Sequence, residues 1–200
     1  FHAVQILEFA ACVWLLTVLL GRVFGDRRLG FLSAILYAAH PALLESVAWV
    51  SSLADTGCAL FTLASLTVMT MNGAGEKISG RRAAAGLIAF MIALFFKESA
   101  ITLPAALVLV HLIQGRREGM SVTRALKQNA LLYAAAILVA IVYVTIRYLI
   151  VGRLTQVGLW GDSWASHART ALLAVPVSMR LVPLPMRLRL QDPLPILDRE

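Results

Sequence analysis

Three short connectors, "GRVFGDRR", "NGAGEKISGRR" and "GRREGMSVTRALKQ", interrupt an otherwise apolar chain. Their positive charge constrains the fold more than any other feature. They carry Arg22, Arg27 and Arg28, then Lys77, Arg81 and Arg82, then Arg116, Arg117, Arg124 and Lys127. The apolar blocks around them are 3–20, 29–39, 41–71, 83–96, 101–113 and 130–151. Short loops rich in Lys and Arg stay on the cytoplasmic side of a membrane. All three can do so only if the chain between them goes out and returns as hairpins. The segment from His40 to Asp55 and the turn "FFKESAITLP" are then expected at the outer face, together with Phe1 and everything after Val151.

Composition agrees with a lipid solvent. Charged residues make up 14% of the chain and mean hydropathy is +0.80, whereas soluble domains carry roughly a quarter charged residues. The expected class is an all-α, polytopic helical membrane protein with about six membrane helices over residues 1–151, followed by an outer-face loop and interfacial Pro/Arg-rich segment over 152–200. The net charge of +7 is accounted for by the connectors and this last segment, so no nucleic-acid partner is invoked. The chain begins at Phe1 inside a helical pattern, which reads as a fragment and leaves no targeting signal to judge. Cys12 and Cys58 lie in apolar helical stretches without metal-ligand spacing and read as buried small hydrophobes. No metal site and no cofactor are expected.

Block lengths locate the polar chemistry. The stretch 83–96 spans about 21 Å as helix and 101–113 about 20 Å, both short of a ~30 Å hydrocarbon core. The Lys97-Glu98-Ser99 tip is therefore expected below the outer surface, in a protein-lined cavity shared with the region around His40. Pro41 suits the first turn of a helix and disfavours helix at His40, so a new helix is expected there. On it Glu45, Trp49 and Ser52 share a face, with Asp55 about 80° around from Glu45 and some ten residues deeper. Glu45 and Asp55 can orient a hydroxyl or accept a proton; the plain alternative for Glu45 is a solvated interfacial carboxylate, and for Trp49 an aromatic-belt anchor. His40 is as consistent with terminating a helix as with binding a ligand.

Lys97 and Glu98, about 100° apart if helical, cannot pair with each other, so each needs its own partner. Lys97 is a natural phosphate ligand; the plain alternative is a snorkelling lysine with an incidental glutamate. His111 reads as a hydrogen-bonded packing histidine. Glu8 either lines the same cavity or satisfies a neighbouring helix. Beyond Val151, Trp160, Trp164 and His167 mark an outer loop, and five arginines from Arg153 to Arg189 run against the positive-inside trend. Long loops escape that trend, or the arginines meet an anionic lipid phosphate. No glycine-rich phosphate loop, zinc spacing, nucleophile elbow or paired broken-helix repeat stands out.

The stretches "FHAVQILEFAACVWLLTVLLGRVFG", "LSAILYAAHPALLESVAWVSSLADTGCALFTLASL" and "LFFKESAITLPAALVLVHLI" follow in order and spacing the pattern of the transmembrane and tetratricopeptide-repeat-containing glycosyltransferases. These are O-mannosyltransferase-like proteins of the GT-C superfamily, and the resemblance covers about residues 1–113. It extends to "RLVPLPMRLRLQDPLP", which is similar to the segment after that family's long outer loop. The resemblance implies a partial GT-C-like bundle in a bacterial inner membrane. It implies transfer of a sugar from a polyprenyl-phosphate-linked donor to a protein or glycan hydroxyl at the outer face. His40, Glu45 and Asp55 match the family's first block and Lys97 and Glu98 its second, as substrate-binding residues. Lys97 would hold the carrier phosphate, and Glu45 or Asp55 the sugar or acceptor.

Two departures qualify the match. Ser52, Leu53 and Ala54 stand where the family carries basic residues. The family's main catalytic acid lies in a first outer loop that would precede Phe1, so the catalytic residue is expected outside this chain and the chain alone is expected to be inactive. Other readings of the same residues are a lipid-linked-oligosaccharide polymerase or ligase, a transporter with a Lys97, Glu98 and Asp55 relay, and a non-catalytic membrane anchor for helical repeats.

Overall fold

A computed structural model describes residues 2–43, 49, 52–152, 169 and 172. Glu45 and nearly all of the 153–200 segment, including Trp160, Trp164 and His167, lie outside the described residues. Among those described, all regular structure is helical: α1 (His2–Phe24), α2 (Arg27–Ala38), α3 (Leu53–Met69), α4 (Gly80–Phe96), α5 (Leu103–Arg117), α6 (Val122–Gln128) and α7 (Ala130–Val151). One-turn 3-10 segments lie at Pro41–Leu43 and Glu98–Thr102.

The first hairpin follows from two residues. Gly25 takes φ 70°, the left-handed conformation that ends helices and that only glycine adopts without a Cβ penalty. Asp26 then caps α2, its carboxylate accepting from the Arg28 N–H at 2.7 Å. The two helices approach so closely that a Cβ on Gly30 would come within 2.5 Å of the Gly21 nitrogen and the Thr17 carbonyl oxygen. Small residues permit this backbone contact, as is usual between helices in lipid. The α3–α4 pair uses similar notches. Gly57 receives the ring of Phe96 and Gly86 receives Met69, while buried Ser65 donates to the Gly86 carbonyl at 2.8 Å. Phe90, Leu94, Leu103, Leu107 and Ala136, all fully buried, continue the core between α4, α5 and α7.

Three helical runs are long and apolar enough to cross a membrane: His2–Phe24, Glu98–Arg117 and Ala130–Val151. This is a membrane protein by that criterion, and the outer surface agrees. On α7 only Leu132, Tyr133, Ala136 and Ala140 are buried, one face of the helix, whereas Leu131, Leu149 and Ile150 are 85%, 76% and 78% exposed. Water would not tolerate that stripe; hydrocarbon does.

The three connectors gather at one end. Arg117 Nη1 donates to the carbonyls of Arg22 at 2.6 Å and Val23 at 3.1 Å, and Glu118 accepts from the Gly75 N–H at 2.9 Å. Gln114 reaches the Thr70 carbonyl at 3.3 Å. His40–Leu43 and the Lys97–Thr102 turn lie at the opposite end, as the hairpin arithmetic requires.

Three expectations are corrected. Pro41 opens a 3-10 turn, Pro41–Leu43, and the expected single helix from there to Asp55 is interrupted at Trp49. The next described helix begins at Leu53, with Ser52 at its N-cap, and Trp49 before it is not helical. Asp55 consequently lies in the first turn of α3 and not deep along a helix; serine before an apolar run is a favoured start position. The block 101–113 is not a short half-hairpin, because the 3-10 turn at Glu98 and the polar residues Gln114–Arg117 extend it to a 20-residue run. Its length no longer draws the tip inward. The third connector contains a helix, α6, which Ser121 caps by accepting from the Arg124 N–H at 3.4 Å.

Two outcomes follow. Gly30→Ala should cost a net ~1–2 kcal/mol in detergent thermal unfolding, because overpacking against immovable backbone outweighs about 1 kcal/mol of helix propensity. Gly80→Ala, which meets nothing within 4 Å, should be neutral or stabilising. In a background lacking Cys12 and Cys58, exposed Ser99→Cys and Val122→Cys should react with an impermeant maleimide from opposite sides of the membrane; labelling from one side rejects the arrangement.

Candidate functional site

The tip is built where α4 stops. Lys97 leaves helical geometry for an extended one (φ −157°, ψ 136°) while its N–H still bonds the Ala93 carbonyl at 3.0 Å. The chain then enters the Glu98–Thr102 turn, so successive side chains diverge. Lys97 Nζ pairs with Asp55 of α3, and Glu98 Oε2 accepts from Arg147 Nη1 of α7 at 3.2 Å. The need for separate partners, read from their adjacency, is met by a carboxylate from one neighbouring helix and a guanidinium from another. The result is a charge-balanced row, Asp55, Lys97, Glu98 and Arg147, across the ends of three helices.

The supports are polar contacts between helix ends. Cys58, one turn below Asp55, places its thiol 3.8 Å from the Lys97 carbonyl and 3.7 Å from Ser99 Oγ, tying α3 to the turn. Glu8 of α1 accepts from Thr56 Oγ1 at 2.8 Å, so it satisfies a neighbouring helix immediately beside Asp55. Gln5 Nε2 donates to the Trp49 carbonyl at 2.7 Å. His40 sits just past α2, half-buried, and Tyr37 one turn below stacks on Phe9 at 6.0 Å. The structure thus brings Asp55 and Lys97 together with Glu98 beside them. His40 is at the same end but enters neither ion pair.

Three side chains of the row are open to solvent, Glu98 most of all at 61%, and only Arg147 is sheltered. Lys97 and Asp55 side chains are 46% and 42% exposed, whereas Arg147 is 19% exposed. Arg147 Nη1 also reaches Tyr143 Oη at 3.3 Å, and its Nε is buried with no hydrogen-bond partner among the described residues. Arg147 is the residue that sequence reasoning missed. The signal was present: an arginine in the last two turns of "LVAIVYVTIRYLIV", where an ionisable group in a spanning helix marks a functional position by default. An apolar groove of about 570 Å³ lies between α5 and α7, with Ile101 and Thr145 toward the tip and Tyr133 further down.

His111 is buried and hydrogen-bonded to Tyr133 Oη at 2.9 Å, the packing role expected of it. Cys12 and Cys58 are buried free thiols. Among the described residues no group of three or more His, Cys, Asp or Glu side chains is placed to hold a metal.

Comparison with protein-family models, with curated proteins and with solved structures returns no match.

Half-exposed ion pairs contribute about 0–1 kcal/mol to stability. A double-mutant cycle on Lys97→Met and Asp55→Asn should therefore give a coupling energy below ~1 kcal/mol in thermal unfolding. A larger coupling would mark the pair as a structural clamp.

Proposed function

We propose that this chain is a membrane-embedded glycosyltransferase body that holds a polyprenyl-phosphate-linked sugar at the tip, for transfer to a hydroxyl acceptor at the outer face. The observation that carries the reading is the row of Asp55, Lys97, Glu98 and Arg147, together with an apolar groove between α5 and α7 whose lining includes Ile101 and Thr145, close in sequence to Glu98 and Arg147. A phosphate diester with a long hydrocarbon tail needs cations beside an apolar track, and this arrangement offers both. The phosphate takes the place of the Asp55 carboxylate on Lys97, with Arg147 as the second cation of the row. Displacing the carboxylate at this half-exposed pair breaks a contact of only ~0–1 kcal/mol. Asp55, released from Lys97, is then free to accept from a sugar hydroxyl, the role expected of it or of Glu45. The isoprenoid tail lies in the groove between α5 and α7.

Arg147 also answers the departure at Ser52, Leu53 and Ala54: a basic group missing before Asp55 is supplied from α7. A transporter is the second reading, because alternating acids and bases in a row also suit an ion relay. It differs in requiring flux across the bilayer.

Binding of farnesyl phosphate to the detergent-purified chain tests the assignment. Lys97→Ala and Arg147→Ala should each weaken binding about tenfold, as expected for loss of one charge-assisted contact. Asp55→Asn should tighten it, because Lys97 loses its competitor; Lys77→Ala at the basic end should change nothing. Unaltered affinity in both Lys97→Ala and Arg147→Ala rejects the site, and proton-coupled flux through reconstituted vesicles would favour the transporter.

A further inference from the structure

At the end opposite the tip, where the basic connectors meet, a cavity of about 650 Å³ opens between the last turns of α1, the start of α2, the chain after α3 and the end of α5. Its volume falls within the ~300–1,000 Å³ of small-ligand sites. Thr17, Arg22, Arg27, Gln114, Arg117 and Glu118 set its chemistry. Two of these charges are already committed. Arg117 closes the C-terminus of α1 through the Arg22 and Val23 carbonyls. Glu118 is satisfied by the N–H groups of Ala74 at 3.4 Å and Gly75 at 2.9 Å.

Two cations remain available. Arg22 makes one long contact, 3.4 Å to the Thr67 carbonyl, and Arg27 is exposed with no side-chain partner among the described residues. The floor adds a complementary demand. Gln114 is 2% exposed and spends its Nε2 on the Thr70 carbonyl, while its Oε1 has no hydrogen-bond partner among the described residues. A buried acceptor is destabilising until a donor reaches it. The cavity lining therefore combines two available cations with an unsatisfied buried acceptor.

We propose that it binds a phosphoglycerol group, with the phosphate on Arg22 and Arg27 and a glycerol hydroxyl donating to Gln114 Oε1. A phospholipid such as phosphatidylglycerol and soluble glycerol phosphate both present that group. The positive-inside tendency assigns this end to the cytoplasmic face, where basic pockets between membrane helices hold anionic headgroups. The ligand ties α1, α2 and α5 together and is independent of the chemistry at the tip.

The full chain, purified in zwitterionic detergent, is titrated with phosphatidylglycerol, phosphatidylcholine, phosphatidylethanol and glycerol 3-phosphate, with native mass spectrometry and thermal shift as readouts. Phosphatidylglycerol should bind at least tenfold more tightly than phosphatidylcholine, and less tightly as salt rises. Arg27→Gln, at an exposed and unpartnered side chain, should reduce that affinity about tenfold, and Arg22→Gln likewise. Arg124→Gln, at the same end but outside the cavity, should not. Phosphatidylethanol, charged but lacking the glycerol hydroxyls, should bind about tenfold more weakly than phosphatidylglycerol. Protection by glycerol 3-phosphate equal to that of phosphatidylglycerol assigns the group to a soluble source. The proposal is overturned if neither phosphoglycerol compound outbinds phosphatidylcholine, if phosphatidylethanol matches phosphatidylglycerol, or if Arg124→Gln weakens binding as much as Arg27→Gln.

Discussion

Hydrocarbon offers no hydrogen bonds, so a chain that passes through it must satisfy its backbone within each helix and release polar chemistry only at helix ends. Most of this architecture follows from that constraint. The carbonyls that close α1 have no later turn to receive them, and Arg117 from a distant helix supplies the donor. Thr70 plays the same part for α3, its carbonyl taken by Gln114 and its hydroxyl bonded back to the Leu66 carbonyl at 2.7 Å. Between the ends, the helices meet through glycine notches and aromatic or aliphatic side chains. Buried His111 and Ser65 are satisfied within the bundle, His111 with Tyr133 and Ser65 with the Gly86 carbonyl.

The two ends of the bundle are chemically unlike. One carries unpaired positive charge, spread over three connectors. The other carries, among the described residues, two ion pairs, Lys97 with Asp55 and Arg147 with Glu98, with Glu8 held by the Thr56 hydroxyl beside them. A surplus of cations favours static binding of an anion, because nothing must be displaced. A balanced row favours exchange, because an incoming anion replaces one already there.

Much of this was legible from composition and spacing alone. Six apolar blocks became α1, α2, α3, α4, α5 and α7, and parity of the basic connectors placed Lys97 and Asp55 at one end before any contact was known. The adjacency of Lys97 and Glu98 correctly demanded two partners. Three things were not legible. Pro41 signals a helical start but not how far the helix continues, since a proline constrains only its own turn and the residue before it. That is why Asp55 was placed too deep. The limits of the 98–117 run were underestimated because apolarity stops at Ile113 while backbone hydrogen bonding continues through Gln114–Arg117. Arg147 was absorbed into an apolar block because its neighbours dominate any averaged reading. Its significance appears only when Glu98 arrives from another helix.

The turn at Glu98–Thr102 has a mechanical consequence. Residues in a 3-10 helix rise about 2.0 Å each and in an α-helix about 1.5 Å. Five residues rewound from one form to the other would shorten the run by about 2.5 Å and swing its first side chain around the axis. Lys97 and Glu98 ride on that first residue, whereas Arg117 at the far end is anchored to α1. Any change of winding there would shift Lys97 and Glu98 against Asp55 of α3 and Arg147 of α7, the partners that hold them, while Arg117 keeps the far end on α1.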